Sequence, residues 1–411
     1  MRATSVARGL LGFPRMRARR VQFESDALVV MVAVVGQSRC SRCGERRPRY
    51  DQLAPRRWRH LDFGRCAVYL ESQLWRVECP TCGIVVEQVA WAEPGARHTR
   101  PFDEYVVWLA QRSDKTMIST MLRIAWRTVG VIIERVVARL RAPTDWTKVN
   151  AIAVDELSYR KGHHYLTLVS DLESGRILWS KEGRSAATLE AFFVEIGPEA
   201  CARIHHAAID MFEAYAQAIR KWLPNATLIY DRFHVQQLAS KAVDEVRRAE
   251  WQRLRGTEEG RGIKHLRWAL LRNPWNVTPS EHERLSALPK RNHVLYRAYL
   301  LKEALADIYR NLYTPPWARR RLNEWISWAM RSQLEPFRRM ARTIKRCFDG
   351  VLAYFETGFT TSRAEGLNTK ARLATRQAYG FHSADAVRAM IELRCTGFTV
   401  PLPYEGVAGA S

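Results

Sequence analysis

Apolar and polar positions alternate along this chain in three successive regimes. From residue 28 to about 90 the pattern is short and strand-like, with apolar runs at Leu28–Val35 and around QLWRVE. From Phe102 the spacing turns helical. Phe102–Arg112 carries Tyr105, Val106 and Leu109 on one face, Asp114–Leu122 follows, and Ala125–Arg141 sets Val129, Ile132, Ile133, Val136, Val137 and Leu140 inward. Three helices with a short break before the third predict a helix-turn-helix. Ala142–Thr144 then reads as a linker. Between Asn150 and Asp231 strands and helices alternate: Ala151–Val154 ending on Asp155, a hairpin turning at Glu173–Gly175, and a helix closed by Pro198. RIHHAAID then ends on Asp210, an amphipathic helix spans Phe212–Leu223, and TLIYD ends on Asp231. From Gln237 to about Tyr354 the pattern is almost wholly helical. It includes a capping box at Thr278–Glu281, a stripe of Leu301, Leu305, Ile308 and Leu312, and Trp317, Trp325 and Trp328 read as core. A final helix begins near Arg363.

Carboxylates at the ends of apolar strands carry the candidate chemistry. In open α/β sheets the working residues lie beyond the carboxyl ends of strands. Aspartate is also a favoured helix N-cap, and for any one of Asp155, Asp210 and Asp231 capping explains the residue as well as catalysis does. For Asp155 and Asp210 together, within this element order, catalysis is the better account. Glu156 is set aside because it points to the opposite side of its strand. On the last helix, Glu365 is followed at near-helical spacing by Asn368, Thr369, Arg372 and Arg376. A carboxylate beside a basic stripe with Lys370 fits a metal ligand next to a phosphate track.

Cysteine usage adds a second metal. Cys40–Cys43 and Cys79–Cys82 are two CxxC knuckles, each followed by glycine, with room for a hairpin between them. Four thiolates make a closed, structural Zn²⁺ site; Cys66 reads as structural or as a substitute for one ligand. Charge then names the partner class: 65 Lys and Arg against 42 Asp and Glu leave +23 over 411 residues, spread along the chain, as a polyanionic partner requires. Arg123, Arg127 and Arg135 of the helix-turn-helix are the candidate DNA contacts there, and Asn368, Lys370, Arg372 and Arg376 those of the last helix. No stretch of about 18 apolar residues is present to span a membrane. Cysteines used for metal point to a reducing cell interior, and with a polyanionic partner a cytoplasmic, nucleoid-associated protein is expected.

Paired CxxC knuckles, a helix-turn-helix, VDE, IDM, YDRFHV and SRAEGLN with AYGF behind it occur here in one order. In that order the chain resembles the DDE-type transposases of bacterial insertion sequences, in the ISL-three group. The resemblance implies a multidomain α/β protein with a ribonuclease-H-like catalytic core, interrupted by an all-helical insertion and preceded by the zinc module and the helix-turn-helix. The expected parts are a basic arm (1–27), the zinc module (28–95), the helix-turn-helix (96–143), the core (148–236 and 355–397), the insertion (237–354) and a tail (398–411). It implies Asp155, Asp210 and Glu365 as the catalytic, Mg²⁺- or Mn²⁺-binding triad for two ions, with Asp231 and His234 as an auxiliary Asp-x-x-His pair. It further implies double-stranded DNA partners, namely terminal inverted repeats and target DNA, metal-dependent strand cleavage and transfer, and a homodimer or larger assembly. The rival readings are a DNA-binding regulator with an inactive core, and a structure-specific nuclease that cuts without joining.

Overall fold

The computed structural model describes residues 2–160, 162–311, 314–359, 362–377, 381, 383–400 and 402, with the side chains of 362–365 outside the description. The chain forms two compact units, 1–141 together with the residues from 397 onward, and 142–396.

The first unit begins with α1 (Ala3–Leu11) and β1 (Met16–Phe23), so the basic arm expected over 1–27 is a helix and a strand. β1 pairs antiparallel with β2 (Ala27–Val34), and Met16 and Val21 turn into the core while the arginines between them face out. That alternation, hidden among arginines, is what makes the segment an edge strand. β3 (Arg49–Gln52), β4 (Arg56–Phe63), β5 (Cys66–Ser72), β6 (Trp75–Cys79) and β7 (Gly83–Val86) follow. They form a four-stranded sheet ordered β1-β2-β5-β4 and a three-stranded sheet ordered β3-β6-β7. Trp58 and Trp91 meet edge to face at 5.6 Å in the core of the larger sheet.

Three helices complete this unit: α2 (Arg100–Ala110), α3 (Lys115–Leu122) and α4 (Trp126–Leu140). Asp114 caps α3 by accepting from the amides of Thr116 and Met117. Arg123 adopts a left-handed conformation (φ 56°) after α3, and the chain bends by 106° between α3 and α4 across three residues. Val129, Ile132, Ile133, Val136 and Val137 of α4 are buried, as their spacing predicts.

The second unit is built on a five-stranded sheet. β8 (Ala151–Arg160), β9 (His164–Asp171) and β10 (Ile177–Glu182) are antiparallel neighbours, and β11 (His206–Ile209) and β12 (Thr227–Tyr230) run parallel to β8, giving the order β10-β9-β8-β11-β12. β8 does not stop at Asp155. It runs on to Arg160 because β9 keeps pairing with it, whereas its pairing with β11 ends at Ala153. α5 (Ala186–Arg203) and α6 (Glu213–Trp222) connect the strands, packing Leu189, Phe192, Phe193, Tyr215 and Ile219 into the core. α5 is broken at Gly197 (φ 80°) and resumes at Pro198, so the proline begins a second segment where the sequence predicts an end.

A helical block follows: α7 (Arg232–Arg253), α8 (Glu258–Lys264), α9 (Arg267–Leu271), α10 (Pro279–Arg291), α11 (His293–Arg310), α12 (Pro315–Arg331), α13 (Glu335–Arg346) and α14 (Phe348–Thr357). The capping box at Thr278 and Glu281 is formed, and Leu301, Leu305 and Ile308 are buried; Leu312 lies outside the described residues. Trp325 is buried and Trp328 partly so, but Trp317 is 53% exposed, contrary to the core reading of all three. Its place in the first turn of α12 leaves the indole outside the packed stripe. The block returns to the sheet through α14, where Gly350 lies against Tyr230; a Cβ there would come within 2.5 Å of the ring. α15 (Ser362–Gln377) then packs on β8, and α16 (Ala384–Cys395) packs on α15 and β10.

Candidate active site and nucleic-acid interface

Asp155 and Asp210 are brought together by the parallel pairing of β8 and β11, since Asp155 lies past the last β11 partner and Asp210 follows directly on Ile209. Neither caps a helix. Asp155 is within a strand, and Asp210 accepts from the amide of Phe212 at 3.2 Å while α6 starts without a side-chain cap. Asp231 is different: it is the N-cap of α7 and accepts from the amide of Phe233 at 3.0 Å. His234, in the first turn of that helix, has Nε2 3.8 Å from Asp231. The capping explanation therefore accounts for Asp231 and fails for the other two.

Burial pushes the Asp155 carboxyl up from its ordinary range. The amide of Glu156, which donates to Oδ1 at 2.6 Å, and the charges of Arg372 and His234 pull it back, and the Asp210 charge pushes it further up. Burial likewise raises Asp210, opposed by His234 and Arg184 and reinforced by Asp231. Two hard-oxygen donors whose negative charges are costly alone and mutually repulsive are suited to a divalent cation. α15 supplies the roof. Asn368 Nδ2 donates to Asp155 Oδ2, and Arg372, one turn on, comes within 3.7 Å of the same oxygen. These two residues, expected along a DNA track, are thus engaged with Asp155, while Lys370 and Arg376 are exposed. Glu365 belongs to α15, but its side chain lies outside the described residues.

Two further residues enter the site that sequence reasoning set aside or missed. Glu156 does face away from α15, but towards Arg184, with which it forms an ion pair. Burial raises its carboxyl, the Asp210 charge adds to the push, and its Oε1 is buried without a hydrogen-bond partner among the described residues. Arg184 also lies over the rings of Tyr165 and Phe212, at 5.2 and 4.9 Å. Strand alternation finds the side of Glu156; nothing local marks Arg184, which stands in the turn before the Ser185 cap.

The two knuckles of the first unit converge. The sulfurs of Cys40, Cys43, Cys79 and Cys82 all lie within 4.8 Å of one another, and Cys43 and Cys79 are 3.7 Å apart. Tetrahedral Zn²⁺ with bonds of about 2.3 Å sets its sulfurs at about that separation. Gly44 and Gly83 follow the second cysteine of each pair at φ 76° and 75°, the left-handed turn that glycine makes without strain. Burial pushes the Cys79 thiol up, but the Arg47 guanidinium and the amides of Cys82 and Thr81 outweigh it and bring it down to about 6. Cys82 is pushed up to about 12 by burial and by the other three sulfurs. Four thiolates so placed are stable together only around a cation, and the donor set fits zinc.

Of the three arginines expected to face DNA from the helix-turn-helix, two are engaged elsewhere. Arg123 pairs with Asp62 and donates to the Arg65 carbonyl at 3.1 Å. Arg135 makes two bonds to Asp103 Oδ2, at 2.6 and 3.2 Å, and so fastens α4 to α2. Both are drawn in by carboxylates that sequence spacing does not reveal. Arg127, in the first turn of α4, is exposed and makes no ion pair among the described residues.

A 106° helix pair with a three-residue turn has the form of a DNA-binding helix-turn-helix, and an α/β unit whose adjoining strands present two half-buried acids offers a carboxylate site. Comparison with known proteins makes this specific. A family model described as transposase, of the DDE class and ISL3 type, matches residues 152–391, and one described as the helix-turn-helix domain of transposase family ISL3 matches 87–137. The chain is 36% identical to the transposase for insertion sequence element IS1557 of Mycobacterium tuberculosis over 436 residues, 98% of each chain. It is 33% identical to the transposase for IS1001 of Bordetella parapertussis over 352 residues, 84% of this chain and 86% of that one. The chain belongs to the ISL3 family of transposases, DNA-cleaving and strand-transferring enzymes whose DDE domain uses divalent metal.

Proposed function

We propose that Asp155, Asp210 and Glu365 form the metal-binding triad of a ribonuclease-H-like core. On this reading the enzyme cuts DNA at the terminal inverted repeats of its element and joins the freed ends to target DNA. The observation that carries the assignment is the α15–β8 contact. Asn368 touches Asp155, and helical spacing puts position 365 on the face of α15 that carries Asn368 and Arg372. The strand order β10-β9-β8-β11-β12, with a helical block between β12 and α15, supports the ribonuclease-H-like reading.

Asp155, Asp210 and Glu365 would hold magnesium or manganese, two ions, which would supply charge stabilisation to the attacking and departing oxygens of a phosphodiester. The chain's own residues do the rest. Asp155 and Asp210 offer oxygens from a rigid sheet, Asn368 and Arg372 hold Asp155 in one rotamer, and Arg184 holds Glu156 beside Asp210. Asp231 and His234 fix the start of α7 below the site, an auxiliary role. Arg127 reads the end repeat, and Lys370 and Arg376 meet phosphates near the cut. Zn²⁺ on Cys40, Cys43, Cys79 and Cys82 shapes the first unit, and two or more copies assemble on paired ends. The parts of the chain follow the boundaries given above, except that the N-terminal 27 residues join the zinc module.

The test is cleavage and strand transfer of end-bearing DNA in Mg²⁺. Asp155→Asn, Asp210→Asn and Glu365→Gln should each abolish both steps while leaving DNA binding intact. Asp155→Asn should melt no lower than the parent, because it removes a charge that desolvation already disfavours. Full cleavage by Asp155→Asn would refute the triad; cleavage without joining would leave a nuclease, and binding without cleavage a regulator.

A further inference from the structure

The helical block carries a charged surface that the site does not use. α12 and α13 are joined by a three-residue connection, and Arg319 of α12 lies over Phe348, just past the end of α13, at 5.5 Å. This brings the start of α12 beside the end of α13. Arg319, Arg320, Lys345 and Arg346 are all exposed there, together with the indole of Trp317. Among the described residues Arg319, Lys345 and Arg346 make no ion pair; Arg320 pairs with Glu324 and lies over Trp317 at 5.4 Å.

Local helix chemistry explains only half of this. Lys345 and Arg346 stand in the last turn of α13, where cations suit the helix dipole. Arg319 and Arg320 do not have that excuse: they follow the first turn of α12, which holds no acidic residue, so the positive end of the helix is reinforced rather than offset. The exposed Trp317 indole, with Arg320 over its ring, is equally uneconomical for a solvated face. Cations around an accessible aromatic ring are the chemistry of a strand of nucleic acid, phosphates on the cations and a base on the ring.

We infer that this end of the α12–α13 hairpin is a second DNA-binding surface, sequence-independent, with Trp317 stacking on an unpaired base. The inference rests on the DNA-acting reading of the chain. Full-length protein would be titrated with a labelled random-sequence duplex, blunt or with a single-stranded overhang, over a series of salt concentrations. Arg319→Ala/Lys345→Ala/Arg346→Ala should lower the slope of log affinity against log salt by roughly 0.9 per lost phosphate contact, and weaken binding tenfold or more at low salt. The charge-keeping set Arg319→Lys/Lys345→Arg/Arg346→Lys should retain the slope. Trp317→Ala should keep the slope but lose about tenfold for the overhang duplex alone. Acetylation of Lys345 in the unmutated protein, read by mass spectrometry, should be blocked by DNA, which tests the surface even where a variant fails to fold. An unchanged slope in a normally melting triple alanine variant, or equal acetylation of Lys345 with and without DNA, would overturn the surface. Equal overhang binding by Trp317→Ala would overturn the stacking role. Failure of the unmutated protein to bind any duplex would instead sink the functional reading beneath it.

Discussion

Arg135 separates two meanings of a basic residue in a DNA-binding helix. Its guanidinium holds Asp103, which is 1% exposed, through bonds of 2.6 and 3.2 Å. Burial pushes the Asp103 carboxyl up to about 6, against the pull of Arg135 and the more distant Arg139 and with a push from Glu93. Arg135→Met removes the main counter-charge and leaves the acid enclosed. Breaking a buried pair from one side costs about 3–5 kcal/mol. At about 2–4 °C per kcal/mol for a unit of this size, the first unit should melt roughly 10 °C lower at neutral pH. The sign with pH follows from the raised folded value. The folded state binds the Asp103 proton more tightly than the unfolded chain, so the loss is smallest at pH 5 and grows as pH rises through 6 and beyond, by up to about 1.4 kcal/mol per unit. Asp103→Leu/Arg135→Met removes both charges and should recover most of the stability. The assays are thermal unfolding by circular dichroism at pH 5, 6, 7 and 8, and binding to end DNA measured well below the melting range. An Arg135→Met variant that melts like the parent yet loses end affinity would refute the structural role and restore Arg135 as a DNA contact.

Other expectations follow from the same packing. Arg127→Ala should weaken end binding several-fold with no change in melting, since the side chain makes no ion pair among the described residues; a lowered melting point would count against it. Chelating zinc, or replacing Cys79 with Ser, should unfold the β3-β6-β7 region, seen as lost proteolytic resistance, while Asp210→Asn should not. His60 and His98 are both held down to about 4, chiefly by burial. The unfolded chain takes up their protons first, so the first unit should lose stability between about pH 6.5 and 4, and His60→Gln should flatten that acid limb in a pH-melting series. Gly350→Ala, which drives a methyl against Tyr230, should destabilise the second unit by about 1–3 kcal/mol in urea unfolding.

The sequence by itself determined every element whose apolar period is regular. The α4 core face, the AIAV and HAAI strands, the Thr278 capping box and the paired CxxC knuckles are local consequences of spacing and of cap and turn chemistry. The order of those elements also pointed to Asp155 and Asp210, because an apolar run followed by a carboxylate is visible in one dimension. Tertiary structure decided which charges meet. Asp103 and Asp62 captured two arginines that looked free, Arg184 reached Glu156, and Asn368 crossed 213 positions of chain to Asp155. It also decided that Asp231 is a cap while Asp155 and Asp210 are not, and that Met16–Phe23 is a strand, since an edge strand takes its register from the neighbour it pairs with. Hydrophobic period is written along the chain; the pairing of ions depends on which elements pack side by side, and no local run of residues encodes that.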